Sequence, residues 1–567
     1  MLALSRVVVR HRILILVLTG LSVVLAAVVG FGVFGQLSSG GFNDPASEST
    51  KAGALLEDRF GAAGPDLVVV ASTRDGSSIT APQAAAAGTE LAARLADQPG
   101  VEKVVSYWEV RAPALMSQDG SSALITATLA GDDTAKQDIA GAVVAELGDS
   151  AGPLDVVVGG RSAVFDAVGS TIESNLARAE SFAVPITFVL LLFVFGSLVA
   201  SGLPLIIGAV SVLGSFFVLW VLTRFTDVSI FSINLVTGLG LGLAIDYALL
   251  MTTRFREELA DGYDVPAAVQ RTIRTAGRTV VFSGLTVAAA LASLLVFPQF
   301  FLRSFAYAGI ATTLLAILGA IVALPALLAV LGPRVNSLRI MRRAVEPREV
   351  GFWSRLATRV MNRPVAYLAG GVTILVLLGL PFFGVKFGTT DDRVLPPDAP
   401  ATQASQLLRD AFVGDASGIV TVVAPDTAPS DPALAGYAAD LSRVPGVVEV
   451  DSAAGTFVAG TLTVPSTPTD AARTSPQGGT WLTVVSNTDP NGGAGVELVR
   501  GVRAVPSTIG ATIVGGAAAE FTDNQDSLQS RLPWALALIA AATFILLFLF
   551  TGSVASKSKP ARIFLVG

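Results

Sequence analysis

Cysteine is absent and histidine occurs once, at His11. Without thiols there is no disulfide, no thiolate nucleophile and no cysteine-based zinc site, and one imidazole leaves Ser/His triads without parts. The lack of disulfides assigns no compartment, because many exported domains have none. Charge is scarce too: 14% of residues are Asp, Glu, Lys or Arg, with a net charge of -6 and a pI near 5.1. No basic field exists to hold nucleic acid, so nucleic-acid binding is set aside. What fills the chain is apolar. Of 567 residues, 52% are hydrophobic and the mean hydropathy is +0.65, above that of an ordinary soluble protein, which makes this a membrane protein.

A bilayer core about 30 Å thick needs roughly 20 apolar residues as helix. Eight stretches approach that length: Ile13–Phe34, Phe182–Val199, Leu203–Leu222, Ser229–Thr252, Thr279–Phe297, Phe305–Leu331, Val365–Val385 and Pro533–Phe550. The first follows Arg6, Arg10 and Arg12 but is about twice a signal-peptide core, so it reads as an uncleaved anchor. Arginines also follow span four (Arg254, Arg256, Arg271, Arg274, Arg278) and span six (Arg334, Arg339, Arg342, Arg343, Arg348, Arg355). A cytoplasmic N-terminus with eight crossings puts all three basic segments inside and two long loops outside. The expected units are span one within 1–34, a loop domain at 35–181, spans two to six at 182–331, a basic amphipathic linker at 332–364, span seven at 365–385, a second loop domain at 386–532, span eight at 533–550 and a tail at 551–567.

Each long loop is large enough to be a domain. In the first, strand-like "DLVVVAS", "VEKVVSYW", "SALITATLA" and "LDVVVGG" interleave with helix-like "APQAAAAGTELAARLAD" and "TAKQDIAGAVVAEL". The order is β-α-β-β-α-β, the ferredoxin-like split βαβ arrangement. The second loop repeats it with "GIVTVVAP", "DPALAGYAADLSRV", "VVEVDSA", "TWLTVVSNT", "GAGVELVRGVRAV" and "ATIVGG". Residues repeat as well: "LADQPGVEKV" matches "LSRVPGVVEV", "VVGGRSAVFD" matches "IVGGAAAEFT", and "FVFGSLVA" matches "FLFTGSVA", at an offset of about 350. An internal duplication follows, its unit being one span, one α+β domain, then further spans.

Within that duplicated plan, "GLGLGLAIDY" in span four, "RFREEL" after it and "GRTVVFSGLT" entering span five resemble the MmpL transporters of the resistance-nodulation-division superfamily. The resemblance covers nearly the whole chain. It implies a polytopic α-helical membrane protein of twelve spans with two extracytoplasmic porter domains, exporting lipids or other amphipathic molecules with protons as the driving ion. It also implies that an Asp-Tyr pair in span four faces a like pair in span ten; only Asp246 and Tyr247 match here. After "FTGSVA" the chain turns polar as "SKSKPARIFLVG", so a transporter cut short after span eight is expected, with a truncated non-transporting copy, or a lipid-binding scaffold or sensor, as the alternative.

The residues of span four support a proton site by themselves. Asn234, Gly238, Gly242 and Asp246 recur every four residues and share one helix face. The small-xxx-small spacing lets another helix approach, so the stripe is expected to be packed, with Asp246 facing the interior. A carboxylate at bilayer depth costs about 2.5 to 3.5 kcal/mol on insertion scales and is a functional candidate by default, against a structural buried acid as the alternative. Lipid disfavours its charged form, which suits a group that loads on one side and unloads on the other. Tyr247 adds a hydroxyl that donates or relays, or simply packs. Ser283 and Thr286 of span five either support the carboxylate or back-bond to their own helix, the commoner use in membranes.

Other signals say less. The alternating glycines are no nucleotide fingerprint, since no strand precedes them. The run from Arg334 to Arg359 mixes arginines with Leu338, Ile340, Met341, Phe352, Trp353 and Leu356, which fits an interfacial helix on anionic lipid or a plain topology signal. "TPTDAARTSPQGG" reads as an exposed loop. The expected partners are lipid or amphipathic cargo and membrane lipids, with a homo-oligomer or accessory envelope proteins left open. No cofactor or metal is expected beyond the proton gradient, and no nucleophile/base constellation points to an enzyme.

Overall fold

The computed structural model describes residues 1–38, 40–61, 64–112, 115–148, 152–340, 352–381, 392–412, 419–471, 473–475 and 477–551. The chain opens with α1 (Leu2–Arg10) and α2 (Arg12–Gly30), which a 3-10 turn extends to Gln36. The first long loop holds α3 (Glu48–Phe60), β1 (Leu67–Thr73), α4 (Pro82–Ala96), β2 (Val101–Ser106), the single turn α5 (Tyr107–Val110), β3 (Ser122–Leu129), α6 (Asp133–Leu147) and β4 (Leu154–Gly159). Next come α7 (Arg161–Phe195), α8 (Leu198–Leu222), α9 (Ser232–Ala260), the amphipathic α10 (Val265–Arg274), α11 (Ala276–Ala292), and α12 (Phe300–Leu318), which passes through a π turn into α13 (Leu324–Leu331). After α14 (Phe352–Asn362) and α15 (Pro364–Gly379), the second loop holds α16 (Pro400–Ala411), β5 (Ile419–Ala424), α17 (Ala433–Leu441), β6 (Val447–Ser452), β7 (Gly455–Val458), β8 (Thr461–Pro465), α18 (Pro468–Ala471), β9 (Thr480–Ser486), α19 (Gly493–Ala504) and β10 (Ile513–Gly515), and α20 (Ala517–Thr551) returns.

Among the described residues seven helices are long and apolar enough to cross a bilayer, or eight when the bent pair α14–α15 is counted as one. They fall on the eight expected stretches. The end of the seventh stretch, residues 341–351 of the basic linker and residues 552–567 of the tail lie outside the described residues.

The first sheet runs β2-β3-β1-β4 and the second β10-β5-β9-β6-β7-β8, every neighbouring pair antiparallel. The hairpin β7–β8 was not expected. It turns on Ala459 (φ 47) and Gly460 (φ 85), a two-residue turn with both φ positive. Ala-Gly is a weak signal for that turn, so the sequence pattern did not reveal the hairpin.

The central strands read as near-continuous apolar runs because both of their faces are buried. In β1, Leu67, Val69 and Ala71 join the core of the first loop, while Val68 and Val70 pack with Ala404 and Phe412, contributed by the second loop. Reciprocally, Val423 of β5 packs under Ala52 and Leu56 of α3 from the first loop. The contacts are tight: a Cβ on Gly159 would lie 2.6 Å from that of Ala404, and one on Gly515 would lie 2.8 Å from that of Ala52. Arg503 pins the exchanged α3, bonding Asp523 at 2.7 Å and Glu48 at 3.0 Å. The two loops interlock; each sheet is completed by a helix from the other.

The expected boundaries at 181/182 and 532/533 fall inside unbroken helices. Both α7 and α20 have 35 residues and run from a loop domain into a span. Each starts where a strand turns sharply at the second of two glycines, Gly160 (φ 95) and Gly516 (φ 98). A side chain there would meet the carbonyl oxygens of Asp66 and Ile419 respectively.

Candidate functional site

Asp246 sits at the midpoint of α9, fourteen residues from Ser232 and fourteen from Ala260, about 21 Å of helix from either end. Gly238, Gly240 and Gly242 would weaken such a helix in water. In hydrocarbon no water competes for the backbone, so the helix holds.

Two faces of α9 behave differently. Ile233, Val236, Gly240, Ala244, Tyr247, Ala248, Met251 and Phe255 are buried, a stripe with steps of three and four. Gly240 is the tight point: an added Cβ would come 2.9 Å from Thr312 Cγ2 of α12 and 3.2 Å from Val212 Cγ2 of α8. The expected packing stripe is the other one. Asn234, Gly238, Gly242 and Asp246 are all exposed, and nothing among the described residues lies within 4 Å of a Cβ added to Gly238 or Gly242. Spacing alone did not distinguish the two stripes, since each carries small residues at helical intervals; the neighbours α8 and α12 selected the one containing Gly240. Asp246 therefore lies on an open helix face.

Tyr247, one residue on, points the other way. It is 2% exposed and packs in the bundle core with Ile317 and Ala248. Its hydroxyl lies 3.2 Å from the Cβ position of Gly284, with Ser283 as a polar neighbour, yet without a well-formed hydrogen bond. Thr286 donates to the Phe282 carbonyl of its own helix at 3.0 Å. The structure thus brings Tyr247 and Ser283 together, while Asp246 stands apart on the next face.

Beside this helix, the 3-10 turn after α2 together with α7, α8 and α9 lines a groove of about 530 Å³, within the range of small-ligand sites. Phe31, Phe34, Leu176, Val212, Phe216 and Ile233 make it apolar, and among the described residues Glu180 is the one charged residue in its lining. Leu241 is the lining residue nearest Asp246 in sequence. No motif marked this groove, because its residues read as any bundle core.

At the far end of α9, Glu258 is fully buried and bridges two arginines, Arg254 at 2.6 Å and Arg271 of α10 at 2.5 Å. This clamp holds α10 across the end of the bundle. "RFREEL" carried the signal, since Arg254 and Glu258 are four apart on one helix.

Residues 41–367 and 393–558 match the model of the MMPL family. The chain is 35% identical to the membrane protein SCO6666 of Streptomyces coelicolor, over 97% of this chain and 74% of that protein. It is 31% identical to the trehalose monomycolate exporter MmpL3 of Mycolicibacterium smegmatis, over 95% of this chain and 57% of the exporter. It is 30% identical to the mycolic acid-containing lipids exporter MmpL11 of the same organism, over 92% of this chain and 55% of that protein. The chain thus spans little more than half the length of those two exporters. With most of its length matched by the family model, the chain belongs to the MMPL family of membrane proteins.

Proposed function

We propose that this protein exports lipids or other amphipathic molecules across the plasma membrane, driven by protons that pass through Asp246 with Tyr247 beside it. The observation that carries the reading is a carboxylate at the midpoint of a membrane-spanning helix, on a face that no described residue covers. A charge left in hydrocarbon is costly, so such a group is either protonated or faces polar company. The small stripe Asn234/Gly238/Gly242 leaves room for a helix to approach, and the family resemblance supplies one carrying a like Asp-Tyr pair. Protonation at Asp246 would then set how closely the two helices sit.

The groove beside α9 suits an acyl chain, and Glu180 in its lining suits a polar headgroup. The lipid exporters among the relatives agree with that cargo. The interlocked loop domains, related by internal duplication, act in this reading as extracytoplasmic porter domains, with the N-terminus cytoplasmic. The reading needs no cofactor beyond the proton gradient.

The test is export driven by an imposed pH gradient in proteoliposomes. Asp246→Asn keeps shape but removes titration, so the protein should insert normally and lose gradient-driven export, while Asp246→Glu keeps part of it. A lipid-binding scaffold or sensor needs the groove and not the carboxylate. Parental export by Asp246→Asn would overturn the relay.

A further inference from the structure

We infer that α14 is a docking surface for the anionic phospholipid face of the bilayer, on the arginine-rich side of the membrane. Two independent features lead there. The first is the sequence pattern of residues 352–363, "FWSRLATRVMNR". Positions 356, 357, 360 and 361 are apolar and continue, at four-residue steps, the aromatic positions 352 and 353, while 354, 355, 358, 359, 362 and 363 are polar. Arg355, Arg359 and Arg363 all fall on the polar positions, and no acidic residue occurs in the segment. The second is geometry. The helix meets α15 at 101°, because Pro364 starts the next helix without a backbone donor and forces Arg363 out of helical conformation (φ -139, ψ 56).

That right angle decides the orientation. None of the residues of α15 is buried by the protein, and Val365, Leu368, Val372 and Leu375 are 50% or more exposed, as suits a span bathed in hydrocarbon. A span tilts about 20° on average, so a helix at a right angle to it lies near the membrane plane. Val360, near the centre of the apolar positions, is 36% exposed and would sink below the phosphates, with the arginines level with them. The occupant is an anionic lipid surface and not a protein groove, because the geometry already holds the helix at the interface and its charge is of one sign.

The experiment uses the full chain in nanodiscs, either pure phosphatidylcholine or with about a third phosphatidylglycerol, and the absence of native cysteine makes single-site bimane labelling simple. Bromine-tagged acyl chains should quench a label at Val360→Cys and leave one at Thr358→Cys, about 160° round the helix, bright. Quenching at position 360 should fall at least three-fold in pure phosphatidylcholine, and equally in Arg355→Gln/Arg359→Gln/Arg363→Gln, with Arg355→Lys/Arg359→Lys/Arg363→Lys retaining it. Equal quenching at 358 and 360, or none at either, would show that the helix does not lie on the bilayer. Strong quenching at 360 that ignores both lipid charge and the arginines would leave apolar anchoring alone and refute recognition of anionic lipid.

Discussion

Glycine at position 240 is there because three helices meet at it, and that can be measured against position 242, one turn-fraction away on the open face. In Gly240→Ala the new Cβ starts 2.9 Å from Thr312 Cγ2 and 3.2 Å from Val212 Cγ2, while carbon atoms at rest sit about 3.5 to 4.0 Å apart. Both neighbours are β-branched, so their methyls cannot swing away freely. Overpacking of this kind costs about 1 to 3 kcal/mol. In Gly242→Ala nothing lies within 4 Å, so no such cost arises. Both substitutions gain the same helix propensity, about 0.8 to 1.0 kcal/mol on scales measured in water, and that gain cancels in the comparison. Gly240→Ala should therefore be less stable than Gly242→Ala by about 1 to 3 kcal/mol, roughly five- to 150-fold in the unfolding equilibrium. Unfolding by sodium dodecyl sulfate in mixed micelles, followed by tryptophan fluorescence, reads the difference. Equal stability of the two variants, or a less stable Gly242→Ala, would refute the assignment of the packed face. Gly242→Leu extends the logic: folding should survive, and a loss of export without loss of stability would mark the stripe as a functional contact.

Further expectations follow from the buried clamp and from topology. Glu258 is fully buried between Arg254 and Arg271, which are 28% and 45% exposed, so Glu258→Ala should cost about 3 kcal/mol, the low end for breaking a buried pair. Glu257→Ala, whose side chain is 38% exposed, should cost at most about 1 kcal/mol in the same unfolding assay; similar losses would mean that the clamp is not structural. For orientation, single cysteines at the exposed Ser78, Thr461 and Ser337 should divide in intact cells. An impermeant thiol reagent should label the first two and spare the third, and labelling at 337 would reverse the topology drawn from arginine placement.

Much of this protein was legible in one dimension. The long apolar helices follow from length and apolarity, because lipid demands that each crossing satisfy its own backbone hydrogen bonds. The split βαβ order of the first loop followed from strand and helix periodicity, and Asp246 was conspicuous because a carboxylate in an apolar run is costly. Partners were not legible. Both faces of β1 are apolar, which says that something covers each, yet only the fold assigns one of them to α16 from a loop more than 300 residues later. Likewise, α9 carries two stripes of small residues, and the sequence holds no term that prefers Gly240 to Gly242; the positions of Thr312 and Val212 do. Local periodicity fixes which side chains share a face. Which face meets which neighbour depends on contacts between segments far apart in the chain, and those exist only once the helices are packed.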